Sequence, residues 1–195
     1  MQANWKDIDY LLAGSAVQRL AYRLLQQHEV LTQLKPYHPI LVGTFPLDIT
    51  VPCSDLDVIC EVPDLEVFAE SVAAGFSHYP AYVVRYPVLA GIPSIIVSFW
   101  LESVEVEVFG QPLASEQQNG YRHMIIEARL LALGSSAFRQ QVIASKASGL
   151  KTEPAFAQLL GLAGDAYQAV LALESVSDAG LTKLLAGAGW GAATP

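Results

Sequence analysis

The stretch "LVGTFPLDITVPCSDLDVICEV", Leu41 to Val62, ends one apolar run on a Gly-Thr pair and sets two aspartates, Asp55 and Asp57, into the next. Carboxylates two apart on a strand share a face, so burying that strand brings like charges together. Each is costly to desolvate unless something cationic sits between them. The rest of the chain must supply the elements around this segment and the chemistry that tolerates it.

Working outward, Ile40 to Val42 reads as a short strand running into Gly43-Thr44. A turn with Pro46 follows, and "SDLDVICEV", Ser54 to Val62, is the second strand. Upstream, Ser15 with Gln18 three residues on makes a capping-box pattern. The spacing of Val17, Leu20, Ala21, Leu24 and Leu25 carries that helix from 15 to 34, where Lys35-Pro36 stops it. Downstream, Pro63 opens a helix to Gly75 with Leu65, Phe68, Ala69 and Val72 inward. Three close-spaced strands, 81–88, 94–101 and 104–109, make an antiparallel meander. From Ser115 the periodicity is helical, over 115–134, 136–148, 153–162, 165–175 and 178–187, with Thr152 and Asp165 as N-caps. The expectation is an α/β chain of the α+β type. An α/β domain over 1–112 carries a mixed, largely antiparallel sheet flanked by helices. A helical region over 113–188 packs on it, and a small-residue-rich tail covers 189–195.

Composition narrows the classes. The 195 residues are 52% apolar, enough for a sizeable core in one domain with a helical extension. A formal net charge of -8 and a pI near 4.8 argue against sequence-independent binding to a long nucleic acid, which relies on a basic face. Cys53 and Cys60 are too few for a zinc site, and "MQANWKDIDY" lacks the pattern of a secretory signal. Both point to a reduced, cytoplasmic setting with packed thiols. The apolar window Tyr82 to Leu101 is interrupted by Arg85, Pro87, Gly91 and Pro93, so it reads as strands and not as a membrane span.

"VEVEVFG", Val104 to Gly110, alternates valines on one face with Glu105 and Glu107 on the other. Alone it is an edge strand with a wet face, and "SDLD" alone is a surface pair. Together with the Gly-Thr turn they acquire a chemical purpose. A small residue lets backbone amides approach a triphosphate, and the Thr44 hydroxyl can donate to a phosphate oxygen. Three converging carboxylates suit magnesium, which takes one or two carboxylates and completes its octahedron with phosphate oxygens and water. Paired ions of this kind clamp the oxygens of an in-line displacement at phosphorus.

"VGTFPLDITVPCSDLDVICEV" followed by "VEVFG" resembles the pattern of the polymerase-beta-like nucleotidyltransferase superfamily. More closely, residues 7 to 175 resemble an uncharacterised bacterial family assigned to it. That span runs through "DYLLAGSAVQRLAY", "GTFPLDI", "SDLD", "EVFGQP", "QNGYRHMIIEARLL" and "LKTEPAFAQLLGL". The resemblance implies a nucleotidyltransferase fold and transfer of a nucleoside monophosphate from a nucleoside triphosphate to a hydroxyl acceptor. Gly43 and Thr44 match the phosphate turn, with Ser54 beside the acids; Asp55 and Asp57 match the metal pair and Glu107 the third acid. Glu105 rivals Glu107, whose "EVFGQ" context fits better. Magnesium, or manganese in its place, is the implied cofactor, and the acceptor, a small molecule or protein, is unidentified. A catalytically inactive module that binds nucleotide or a protein partner is the alternative, and the apolar fraction leaves room for a homodimer interface.

In the helical half, "SEQQNGYRHMIIEARLLALG" is apolar around most of its circumference, which predicts a buried helix. Its polar stripe of Asn119, His123 and Glu127 must find partners inside the fold. Arg122 or His123 could instead meet the triphosphate, as could Lys151 beside a helix start.

Overall fold

The structure, a computed structural model, describes residues 4–191. Its contacts divide the chain into two compact units, one running to 48 and over 54–121, the other over 49–53 and from 122 onward.

In the first unit, Ser15 caps α1 (Ala16–Gln27) through the full reciprocal box with Gln18. The single helix expected to 34 breaks instead at Glu29, whose φ of 51° is left-handed. That turn redirects the chain into α2 (Val30–Gln33), and Val30 and Leu34 both enter the core. β1 (Ile40–Val42) leads to Gly43 and then α3 (Thr44–Leu47), so the expected turn is a short helix, closed by Asp48 at φ 55°. β2 (Leu56–Glu61) is shorter than its pattern. Asp64, rather than Pro63, starts α4 (Leu65–Phe76), its carboxylate accepting from the Glu66 and Val67 amides at 3.0 and 3.1 Å.

The run expected as one strand over 81–88 is split into β3 (Val83–Arg85) and β4 (Val88–Leu89). Proline cannot donate to a ladder, and Pro87 lies between the two pieces. β4 pairs with β5 (Ile92–Pro93) across Ala90-Gly91, both at positive φ as a two-residue hairpin requires. β6 (Ile95–Leu101) and β7 (Val104–Gln111) complete a five-stranded sheet of order β1-β2-β7-β6-β3. It is mixed: β2 and β7 are parallel, and every other neighbouring pair is antiparallel.

Period two assigns the two faces of the sheet. Leu56, Val58, Cys60, Val106, Val108, Val97 and Phe99 face the core with Ala21, Leu24 and Leu25 of α1 and Phe68, Val72 and Phe76 of α4. Phe76 stacks on Phe99 at 4.9 Å between ring centroids. Cys60 is buried there and burial pushes its thiol up, whereas Cys53, expected to be packed, is exposed. The opposite face carries Asp57, Glu105 and Glu107.

A single-turn 3-10 helix, Ser115–Gln117, precedes α5 (Asn119–Leu133), most of which belongs to the second unit with α6 (Ser136–Ala147), α7 (Thr152–Leu160), α8 (Ala166–Leu171) and α9 (Asp178–Gly187). Asp165 caps α8 as expected, but α7 starts one residue earlier than its pattern, with Lys151 at the N-cap and Thr152 inside the helix. The Thr152 hydroxyl accepts from Lys146 Nζ at 2.9 Å and does not cap. Phe138 packs edge-on against Phe156 at 5.6 Å. The stretch read as a tail is tied down as far as it is described. Trp190 donates to the Leu159 carbonyl at 2.8 Å and Gly191 bridges to Gly134. Residues 192–195 lie outside the described residues. No described helix is long and apolar enough to cross a membrane.

Candidate active site

One rung of the sheet organises the site. Val42 pairs with Asp57, Asp57 with Glu107 across the parallel β2–β7 contact, Glu107 with Ser98, and Ser98 with Val83. Residues directly paired across strands point to the same face, so the register alone brings Asp57 and Glu107 side by side on the face away from the core. Both are half-buried. Glu105, on the same face, is opposite Trp100.

The end of β1 is built against this rung. Gly43 has φ of 75°, and a Cβ placed there would collide with Asp57 Oδ2. Glycine therefore serves both the left-handed backbone and the close approach of the carboxylate. Thr44 is 8% exposed, and its Oγ1 is shut from solvent without a hydrogen-bond partner. Leaving a hydroxyl in that state costs about 1 to 3 kcal/mol.

The other end of the turn is held from α1. Gln18 Nε2 donates to the carbonyls of Phe45 and Pro46, each at 3.0 Å, and Ser15 Oγ donates to Asp48 Oδ1 at 2.6 Å. These two residues were legible as a helix cap. Their second role, clamping the phosphate-turn candidate, involves partners about thirty residues away that no local pattern displays.

Asp55 precedes β2, half-buried, and its charge reaches Glu107. Burial and then Asp55 push the Glu107 carboxyl above its ordinary range, with Glu105 adding to the effect. Arg85 of β3 pulls the other way, its Nη2 donating to Glu107 Oε2 at 3.0 Å. Sequence reasoning read Arg85 only as an interruption of an apolar window. Its pairing across the intervening strand β6 could not be seen from spacing.

Gly43, Thr44, Ser54, Asp55, Asp57 and Glu107 thus all belong to the first unit, while Arg122, His123 and Lys151 belong to the second. Arg122 is engaged by Glu174, its Nε donating to the carboxylate at 3.0 Å. His123 Nε2 donates to the Tyr167 carbonyl at 3.0 Å and its Nδ1 lies 3.4 Å from Glu153 Oε1, so the ring is held on both sides. Lys151 is exposed at the N-cap of α7.

The oxygen donors suit magnesium. Asp55 and Asp57 are as many carboxylates as one such ion takes, and the Thr44 hydroxyl, next in sequence to Gly43, is uncommitted. Among the described residues, no three of His, Cys, Asp and Glu are drawn together as a ready-made metal cluster. The third acid of the expected set is instead held by Arg85.

A family model described as a domain of unknown function, DUF4269, matches residues 23–173. The chain belongs to the DUF4269 family. The matched span contains every residue of the acid site, whereas Ser15 and Gln18, which brace it, precede the DUF4269 match. No curated protein matches the chain. Among solved structures, the polymerase core of the TRAMP RNA surveillance complex is 15% identical with a TM-score of 0.49, covering 93% of this chain and 61% of its own. Cid1 poly(U) polymerase with magnesium and 3'-dATP bound is 12% identical with a TM-score of 0.46, covering 76% of this chain and 48% of its own. The GLD-2/RNP-8 complex gives 14% and 0.45, with 85% and 58% covered. The DUF4269 chain therefore spans about half to three-fifths of the length of these structures.

Proposed function

We propose that this protein is a metal-dependent nucleotidyltransferase, moving a nucleoside monophosphate from a nucleoside triphosphate to a hydroxyl acceptor with release of pyrophosphate. The observation that carries this reading is the pairing of a left-handed Gly43, pressed against Asp57, with the unpartnered buried hydroxyl of Thr44.

Asp55 and Asp57 would hold magnesium, with Glu107 joining them, and the Gly43-Thr44 turn would bind phosphate oxygens through the Thr44 hydroxyl and backbone amides. When bound, the metal supplies neutralisation of the charge on the triphosphate and alignment of its α-phosphorus. The acceptor oxygen forms a bond to that phosphorus as the bond to the bridging α,β-oxygen breaks. The hydroxyl proton passes to a carboxylate oxygen of Asp57 or Glu107. Positioning and electrostatics, rather than a covalent intermediate, provide the rate.

The Arg85–Glu107 ion pair favours a second reading, a module that binds nucleotide without transferring it. Thermal-shift measurements with ATP, GTP, CTP and UTP, each with and without magnesium, test the shared part of both readings. Wild type should gain a magnesium-dependent shift with at least one nucleotide, roughly 2.7 kcal/mol at about 100 times the dissociation constant. Asp55→Asn/Asp57→Asn should lose it while keeping its fold. A shift that survives in that double variant would place the site elsewhere. Pyrophosphate release in an acceptor screen then separates the enzyme from the module.

A further inference from the structure

The acid cluster carries a cation of its own. Asp55, Asp57, Glu105 and Glu107 lie on or beside two adjacent strands, and β3 sends Arg85 across β6 to bond the last of them. The contact is loosely held. Arg85 is 55% exposed at its side chain, its strand is a three-residue edge, and Val83 at the start of that strand and Tyr86 just after it are also exposed.

A carboxylate given to a divalent ion cannot keep a guanidinium on the same oxygen without setting two cations against each other. Glu107 Oε2 must therefore choose between Arg85 and a metal. Once displaced, Arg85 stands beside the ion that brings the triphosphate, and a planar fork of donors matches phosphate oxygens as well as it matches a carboxylate.

Resting on the nucleotidyltransferase reading, we propose that Arg85 is a triphosphate ligand held in reserve. It neutralises Glu107 while the site lacks metal, and it turns onto non-bridging phosphate oxygens of the nucleotide when a divalent ion takes that carboxylate.

The proposal predicts opposite effects on two ligands, which a merely structural arginine would not produce. Manganese alone is titrated into wild type, Arg85→Ala and Arg85→Lys, with free ion followed by electron paramagnetic resonance. Non-hydrolysable analogues of the four nucleotides are then titrated at saturating manganese. Arg85→Ala should bind manganese alone more tightly, because Glu107 no longer has a competing cation. It should bind the preferred analogue on the order of tenfold more weakly, the loss of one hydrogen bond to a charged group. Arg85→Lys should recover part of the analogue affinity. Arg85→Gln, measured in parallel, provides the same comparison should the alanine variant fold poorly. Unchanged or weaker manganese binding in the charge-free variants Arg85→Ala and Arg85→Gln, or unchanged analogue binding in them, overturns the role of Arg85 and leaves the nucleotidyltransferase reading standing. A wild type that binds neither manganese nor any analogue overturns both.

Discussion

At Thr44, stability and function should pull in opposite directions. Its hydroxyl is buried without a partner, in a short helix whose other residues, Phe45, Pro46 and Leu47, are all buried. Valine keeps the shape and removes the unsatisfied oxygen, so Thr44→Val should leave the denaturant midpoint unchanged or raise stability by about 1 kcal/mol. The same change should weaken magnesium-nucleotide binding, because the only thing lost is a donor to phosphate. Chemical denaturation and nucleotide titration on the one variant give both signs; a clear destabilisation would mean that the hydroxyl is bonded within the protein. Thr44 was singled out by the Gly-Thr pair and stands in α3 rather than on a strand, and the shared face of Glu105 and Glu107 on β7 was legible because period two fixes a face from local spacing. Arg85 was not, since its carboxylate partner is 22 residues away with another strand between them.

The elements that set the site divide in the same way. Capping signals fixed α1 and α8, and alternation fixed β7, because those are contacts within a few residues. The break at Glu29 was hidden because only the demand that Val30 and Leu34 both reach the core puts a left-handed residue there. The parallel pairing of β2 with β7 was equally hidden, as it joins segments separated by α4 and four other strands. Gln18 shows what that hidden layer does. Its amide group bonds the Ser15 amide at one end and two α3 carbonyls at the other, within a site 7% exposed. Gln18→Ala should cost about 2 to 3 kcal/mol, combining a lost cap with the loss of its donor at the Pro46 carbonyl; the Phe45 carbonyl keeps the Asp48 amide. Amide exchange in residues 44–48 should quicken more than in β6, a local loosening that loss of overall stability alone would not produce. Equal acceleration in both would remove Gln18 from any role in holding the turn.

Across the whole molecule, acids outnumber bases by eight, and one acid whose ionisation the fold opposes lies outside the proposed site. Of the polar stripe read on α5, Asn119 is exposed, while His123 and Glu127 are buried. Glu127 is 2% exposed with Oε1 unpartnered. Burial first, then the charge of Glu153 on α7, pushes its carboxyl up to about 8, against the pull of Lys146 on α6. The ring of His123, one turn back on α5, lies between Glu153 and the Tyr167 carbonyl. An unfolded glutamate titrates near about 4.3. Between that value and about 8 the native chain holds a proton on Glu127 that the unfolded chain has released, so the contribution of this group to stability falls as pH rises through this window and levels off above it. Glu127→Gln keeps the side chain's shape and is neutral throughout. Wild type and variant should therefore melt close together near pH 5, and the variant should melt higher at pH 9. Melting curves that stay parallel from pH 5 to 9 would assign the alkaline loss to other groups and require Glu127 to be ionised and compensated in the native state, with Lys146 the cation placed to do it.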